Sequence, residues 1–168
     1  MTIDEHLGKL KGVKLAFIGD GNNVARSLCL ALGPLEAGFA IAAPDQYGLD
    51  PASLELARQR APGGEAEVLA LREPQEAVQG ADVVYTDVWA SMGQEEETAQ
   101  RLRSFQGYTV DPELLARAKP GALFMHDMPA HYGQEVPAGM LEHPQSVAYL
   151  QAHNRLHAQK ALLESILG

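Results

Sequence analysis

The stretch "VKLAFIG", Val13 to Gly19, decides the fold class. It is short, apolar and closed by a glycine, the pattern of a strand buried on both faces. The turn "DG" follows, and then "NNVARSLCLALGPLEAG". There Val24, Leu28, Leu32 and Leu35 recur at helical spacing, with Gly38 as the stop. A buried strand that runs through a polar turn into a helix is the opening unit of a parallel α/β sheet.

The same alternation continues along the chain. "FAIAAP" reads as a second strand. "DPASLELARQRA" reads as a second helix, with Asp50 as N-cap and Pro51 in its first turn. "AEVLAL" is a third strand, and "EPQEAVQG" a short helix closed by Gly80. "ADVVYTDVW" is a fourth strand, "SMGQEEETAQRLRSF" a loop leading into a helix, and "DPELLARAKPG" a further helix. "ALFMH" is a fifth strand, "SVAYL" predicts a sixth short one, and "HNRLHAQKALLESILG" is a terminal helix. The expected fold is a doubly wound, Rossmann-like parallel sheet of about five strands with helices on both faces, in a single domain. A chain of 168 residues with 46% apolar content is long enough to bury a real core. In such sheets ligands lie outside the carboxyl ends of the strands. "GDGNN", "TDVWASMG" and "HDMPAH" should therefore open onto one rim.

Composition narrows the function. The formal net charge is −9 and the sequence pI is about 5.0. With no basic patch, nucleic acid and anionic membrane surfaces are excluded as partners. No apolar run reaches the length that spans a bilayer, and "MTIDEHLGKLKG" is not a signal peptide. The single cysteine, Cys29 in "SLCLAL", reads as a buried core thiol in a reducing, cytoplasmic setting.

Each rim motif has a functional and a plain reading. "GDGNNV" stands where a dinucleotide loop would, but Val24 replaces the third glycine and Asp20 would oppose a pyrophosphate. Otherwise it is a tight turn in which Asn22 or Asn23 caps the helix, or one whose asparagine amide reaches a polar ligand. In "SMGQEEE", Ser91 and Gln94 have capping-box spacing and Glu95, Glu96 and Glu97 suit a helix start. The segment also reads as a loop hinged at Gly93 that closes on a ligand. Asp87 ends an apolar strand, where a carboxylate can anchor a cationic group. His126, Asp127 and His131 could hold a metal, but adjacent residues on a strand point to opposite sides. His153 and His157 are spaced to present two imidazoles to one ion, yet no third ligand is fixed, and the plain reading is a solvated helix face. No metal and no cofactor are assigned. Arg155 offers a guanidinium suited to an anionic oxygen.

Four segments taken together resemble one family: "FIGDGNNVARSL", "DVVYTDVWASMGQE", "FMHDMPAHYGQEV" and "NRLHAQKALL". They are similar, in order and separation, to the second, ornithine-binding half of the ornithine carbamoyltransferases, across residues 1–168. That family transfers a carbamoyl group from carbamoyl phosphate to the δ-amine of L-ornithine, giving citrulline and phosphate. The resemblance implies that Asn23 holds the α-carboxylate or α-amine region and that Asp87 binds the α-ammonium. It places Ser91 and Met92 on a loop over ornithine and Met128 beside the ligand. His126 would meet the carbamoyl oxygen and Arg155 the carbamoyl phosphate, with Pro129 shaping the turn.

Two departures and one absence modify that expectation. The family reads "HCLP" where this chain reads "HDMP", so Asp127 and Met128 replace a cysteine and a leucine. A carboxylate at Asp127 would attract the δ-ammonium but also keep it protonated, and a protonated amine is no nucleophile. His153 stands where the family has a glutamate. The phosphate-binding "STRTR" motif of the first half occurs nowhere in the sequence. The expected partners are L-ornithine or a similar small amino acid, together with the missing carbamoyl-phosphate domain. Because Leu156, Leu163, Ile166 and Leu167 lack that domain to pack on, the terminal helix is expected either to fold back on its own sheet or to build a homo-oligomer. The alternatives are a standalone amino-acid-binding module or a nucleotide-binding flavodoxin-like domain.

Overall fold

The computed structural model describes residues 1–64, 67–90 and 97–168. The chain opens with α1 (Thr2–Leu7), β1 (Lys14–Ile18), α2 (Asn23–Leu32), β2 (Gly38–Ala42) and α3 (Pro51–Arg60). Then come β3 (Val68–Leu71), α4 (Pro74–Val78), β4 (Val83–Thr86), α5 (Thr98–Ser104), α6 (Pro112–Leu115), β5 (Leu123–His126) and α7 (Ala148–Leu167). The strands form one five-stranded sheet in the order β3-β2-β1-β4-β5, and every pairing is parallel.

Alternation along the strands sorts the core into two layers. Leu15, Phe17, Ile41, Val83, Tyr85 and Met125 face one side, where they meet Ala25, Cys29 and Leu32 of α2 and Leu54 and Ala57 of α3. Ala16, Ile18, Ala40, Val84 and Phe124 face the other, against Ala77 and Val78 of α4 and Leu114 and Leu115 of α6. A sheet covered on both faces needs strands that are apolar at every position, which is why "LAFI" and "VVYT" lack the polar alternation of a one-sided sheet. Cys29 lies in the first layer, fully buried, and that burial pushes its thiol up to about 11.

The helix starts follow from local chemistry. Asn22 caps α2, its side-chain oxygen accepting from the backbone N–H groups of Val24 and Ala25. Asp50 caps α3 in the same way through Ser53, and those bonds hold its carboxyl below the usual range.

Three sequence expectations are corrected. "SVAYL" is not a sixth strand. Ser146 makes a single bridge to Phe124, and α7 begins at Ala148. The pairing stops there because the next residues turn their backbone groups into the helical ladder: Gln151 N–H donates to the Val147 carbonyl. Gly38 does not stop the first long helix. That helix ends at Leu32 and passes into a 3₁₀ turn, Gly33–Leu35, and Gly38 opens β2. Pro34 has no N–H with which to continue the α-helix. Leu35, expected on the buried stripe, is 44% exposed as a result.

The topology locates the ligand-binding edge. The chain moves outward from β1 to β2 and β3, then returns to place β4 on the other side of β1. The switch point thus lies between β1 and β4. Register aligns the strand ends there: Ile18 pairs with Thr86, and Thr86 with His126. No described helix is long and apolar enough to cross a membrane.

Candidate functional site

Asp87, the first residue beyond β4, is the centre of the site. Its side chain is buried and both oxygens are held. Asn22 Nδ2 donates to Oδ2 at 2.7 Å, and the Val88 N–H donates to Oδ1 at 2.7 Å. The Asn22 bond crosses the switch point, so one residue both caps α2 and orients the carboxylate. The sequence placed Asn23 in the site and left the cap open between Asn22 and Asn23. In the structure Asn22 is the cap, and Asn23 is exposed and lines the cleft in front of Asp87.

That cleft has a volume of about 340 Å³. Asn23, Val24, Asp87, Asp127 and Met128 line it, with His131 at its edge. Asp127 faces Asp87, and ligand atoms of Asp87, His126 and Asp127 all lie within 4.8 Å of one another. Burial first, and then the neighbouring Asp87, raise the Asp127 carboxyl from 3.8 to about 6. Its Oδ1 has no hydrogen-bond partner among the described residues. The two carboxylates share an electrostatic need for a cation or a proton.

His126 ends β5 and is fully buried. The Met128 N–H donates to its Nδ1 at 2.8 Å, so that nitrogen carries a lone pair and no proton. The proton is then on Nε2, which faces Glu135 Oε1 at 3.4 Å. Glu135 is fully buried as well, and the same oxygen accepts from the His131 N–H. His126 and Glu135 together brace the turn that carries Asp127. Met128, in that turn, has φ +56°, a left-handed conformation that a residue with a long side chain adopts only where its surroundings impose it. The lone pair a metal would take from His126 Nδ1 is committed to Met128. His131 is exposed, and the group the fold assembles brings in Asp87 in its place.

The glycine turn after β1 has its own explanation. A Cβ on Gly21 would lie 2.4 Å from the Gly48 backbone, so Gly21 is required by the close approach of the β2–α3 loop. The Gly21 N–H donates to the Tyr47 carbonyl within that contact. Asp20 is committed to Arg101, whose guanidinium donates at 2.9 Å to Asp20 and at 2.9 Å to the Trp89 carbonyl. The guanidinium also lies 4.9 Å from the Tyr47 ring centre. Burial raises the Asp20 carboxyl, against the pull of Arg101. Arg101 thereby ties the ends of β1 and β4 to α5.

Arg155 is exposed on α7 and lines a neighbouring groove with Tyr85 and Gln151, outside the Asp87 cleft. Ser91 and Met92 lie outside the described residues. Sequence reasoning missed Asn22 as an orienting residue, Arg101 and Glu135. Arg101 sits among charges in "QRLRS" and reads as part of a solvated face, and Glu135 follows His126 at no diagnostic spacing.

The fold and the site define a class: a doubly wound α/β domain with a carboxylate-lined cleft at its switch point. The comparisons resolve the class further. Residues 11–166 match the family described as "Aspartate/ornithine carbamoyltransferase, Asp/Orn binding domain", and the chain belongs to it. It is 48% identical over 168 residues to the ornithine carbamoyltransferase of Methanoculleus marisnigri, covering all of this chain and 53% of that one. It is 50% identical over 166 residues to that of Nitrosococcus oceani, covering 99% of this chain and 52% of that one. The solved ornithine carbamoyltransferase from Pyrococcus furiosus superposes with a TM-score of 0.90 at 47% identity, over 96% of this chain and 52% of that one. The chain thus spans about half the length of the curated relatives it matches.

Proposed function

We propose that residues 1–168 are the amino-acid-binding half of an ornithine carbamoyltransferase and that the cleft takes L-ornithine or a similar small amino acid. The observation that carries this reading is the buried Asp87 carboxylate, aimed by Asn22 into a cleft that also presents the Asn23 amide. Asp87 would hold the α-ammonium and Asn23 the α-carboxylate, leaving the side chain to run past Met128 and Asp127. Asp127 would meet the side-chain ammonium and hold it protonated, the wrong state for attack on a carbamoyl carbon. Ser91 and Met92 would cover the ligand.

Carbamoyl transfer needs a donor at the carbamoyl oxygen and a clamp for the phosphate. His126 is the residue proposed for the first. Both its ring nitrogens are engaged within the turn, so direct contact requires one of those bonds to open. Arg155, exposed on α7, would meet the phosphate. The rest of the clamp would come from a carbamoyl-phosphate-binding domain. The chain by itself would bind an amino acid without turning it over. The outer half of α7, where Leu162, Leu163, Ile166 and Leu167 stand exposed, would be covered by that domain or by a second copy. Cys29, a buried thiol, suits a reducing cytoplasmic compartment.

Calorimetry of the purified chain with L-ornithine and L-norvaline, beside a citrulline-formation assay, tests this reading. Binding of either amino acid, lost in Asp87→Asn and without turnover, is the expected result. No heat with either ligand would refute the binding role, and clear turnover would refute the claim of inactivity.

A further inference from the structure

His153 and His157 lie on the exposed face of α7, away from the Asp87 cleft. The helix brings their Nε2 atoms to 3.1 Å from one another, with ring centres 4.9 Å apart and ring planes at 71°. Spacing alone permits that approach, but many rotamers of an exposed i, i+4 pair do not make it. Two imidazole nitrogens at this distance either share one proton or turn both lone pairs on a third atom.

We propose that His153 and His157 form a bidentate site for a divalent transition-metal ion. Zinc–imidazole bonds are about 2.0–2.1 Å long. Two such bonds rising from a 3.1 Å base enclose an angle of about 95–100° at the metal. That lies between the right angle of square-planar or octahedral geometry and the wider tetrahedral angle, so an ion can be seated without unwinding the helix. Imidazole donors select zinc, copper and nickel, whereas calcium and magnesium require oxygen ligands. A two-ligand site leaves its other positions to water or to a donor from another molecule. The rigid backbone between i and i+4 keeps the pair together before the ion arrives. The formal net charge of −9 draws cations to the molecule. The site is independent of the amino-acid cleft and stands whether or not ornithine binds.

The test titrates the tag-free chain with Ni²⁺ and with Cu²⁺, followed by calorimetry and by thermal melting. The expected result is one strong site per chain and a melting midpoint that rises with metal. His153→Gln and His157→Gln should each weaken that site by about tenfold or more, since one bond of the chelate is lost. A relocated pair, His157→Gln with Lys160→His, keeps the number of histidines but not the spacing and should bind as weakly as the single variants. All three positions are exposed, so circular dichroism should report unchanged folding. With Cu²⁺, electron paramagnetic resonance should show two nitrogen donors in the wild type and one in either single variant. Absence of binding by the wild type overturns the proposal. So does unchanged affinity in the single variants or in the relocated pair, either of which would place the ion elsewhere.

Discussion

Asp127→Asn should stabilise this protein at neutral pH and leave its stability nearly unchanged in acid. In the folded chain, burial and the facing Asp87 raise the Asp127 carboxyl from 3.8 to about 6. Between these two pH values the folded chain retains a proton that the unfolded chain has released. Stability therefore falls as pH rises through that window and stays lower above it. A difference of about two pKa units corresponds to roughly 3 kcal/mol at full effect. The side chain is 25% exposed, so solvent screening reduces this to about 1–2 kcal/mol. Asparagine has the same shape, carries no charge, and can donate from its amide to Asp87. Urea unfolding of both proteins at pH 4 and at pH 7.5 measures the effect. The expected result is a variant more stable by about 1–2 kcal/mol at pH 7.5, with the gap closing towards pH 4. A gap that is the same at both pH values, or a variant less stable at pH 7.5, would refute the argument that two carboxylates oppose one another here.

Two further outcomes follow from the same framework. Arg101→Met should destabilise the fold by about 3–5 kcal/mol, because it leaves Asp20 buried without a counter-charge. Adding Asp20→Asn should recover much of that loss in a urea double-mutant cycle. Asn22→Ala should cost about 1 kcal/mol from the lost helix cap. It should also weaken amino-acid binding measured by calorimetry, because Asp87 loses the donor at its Oδ2.

Much of the fold was legible in the sequence because buried parallel strands leave a strong signal. "VKLAFIG", "FAIAAP" and "VVYT" are apolar at successive positions, and Asp50 announces its helix through a short local hydrogen bond. The mistakes came where local pattern and long-range pairing compete. "SVAYL" has strand-like composition, yet a strand exists only where a neighbour accepts its bonds, and Phe124 offers one bridge. The motifs also carried the rim: "GDGNN", "TDVW" and "HDMP" each follow a strand, and parallel register brings their ends side by side.

What the sequence determined by itself is the order of the five paired strands and the helices between them, the Asp50 cap, and the polar residues left at each strand end. These depend on periodicity and on contacts a few residues long. What only the tertiary structure decided is which of those residues meet. Asn22 reaches Asp87, 65 positions away, because β1 and β4 are neighbours at the switch point. Arg101 looked solvated and is buried against Asp20, 81 positions away. Asp127 was recognisable as unusual, but its opposition to Asp87 exists only once β4 and β5 lie side by side, since charges act through space and not along the chain.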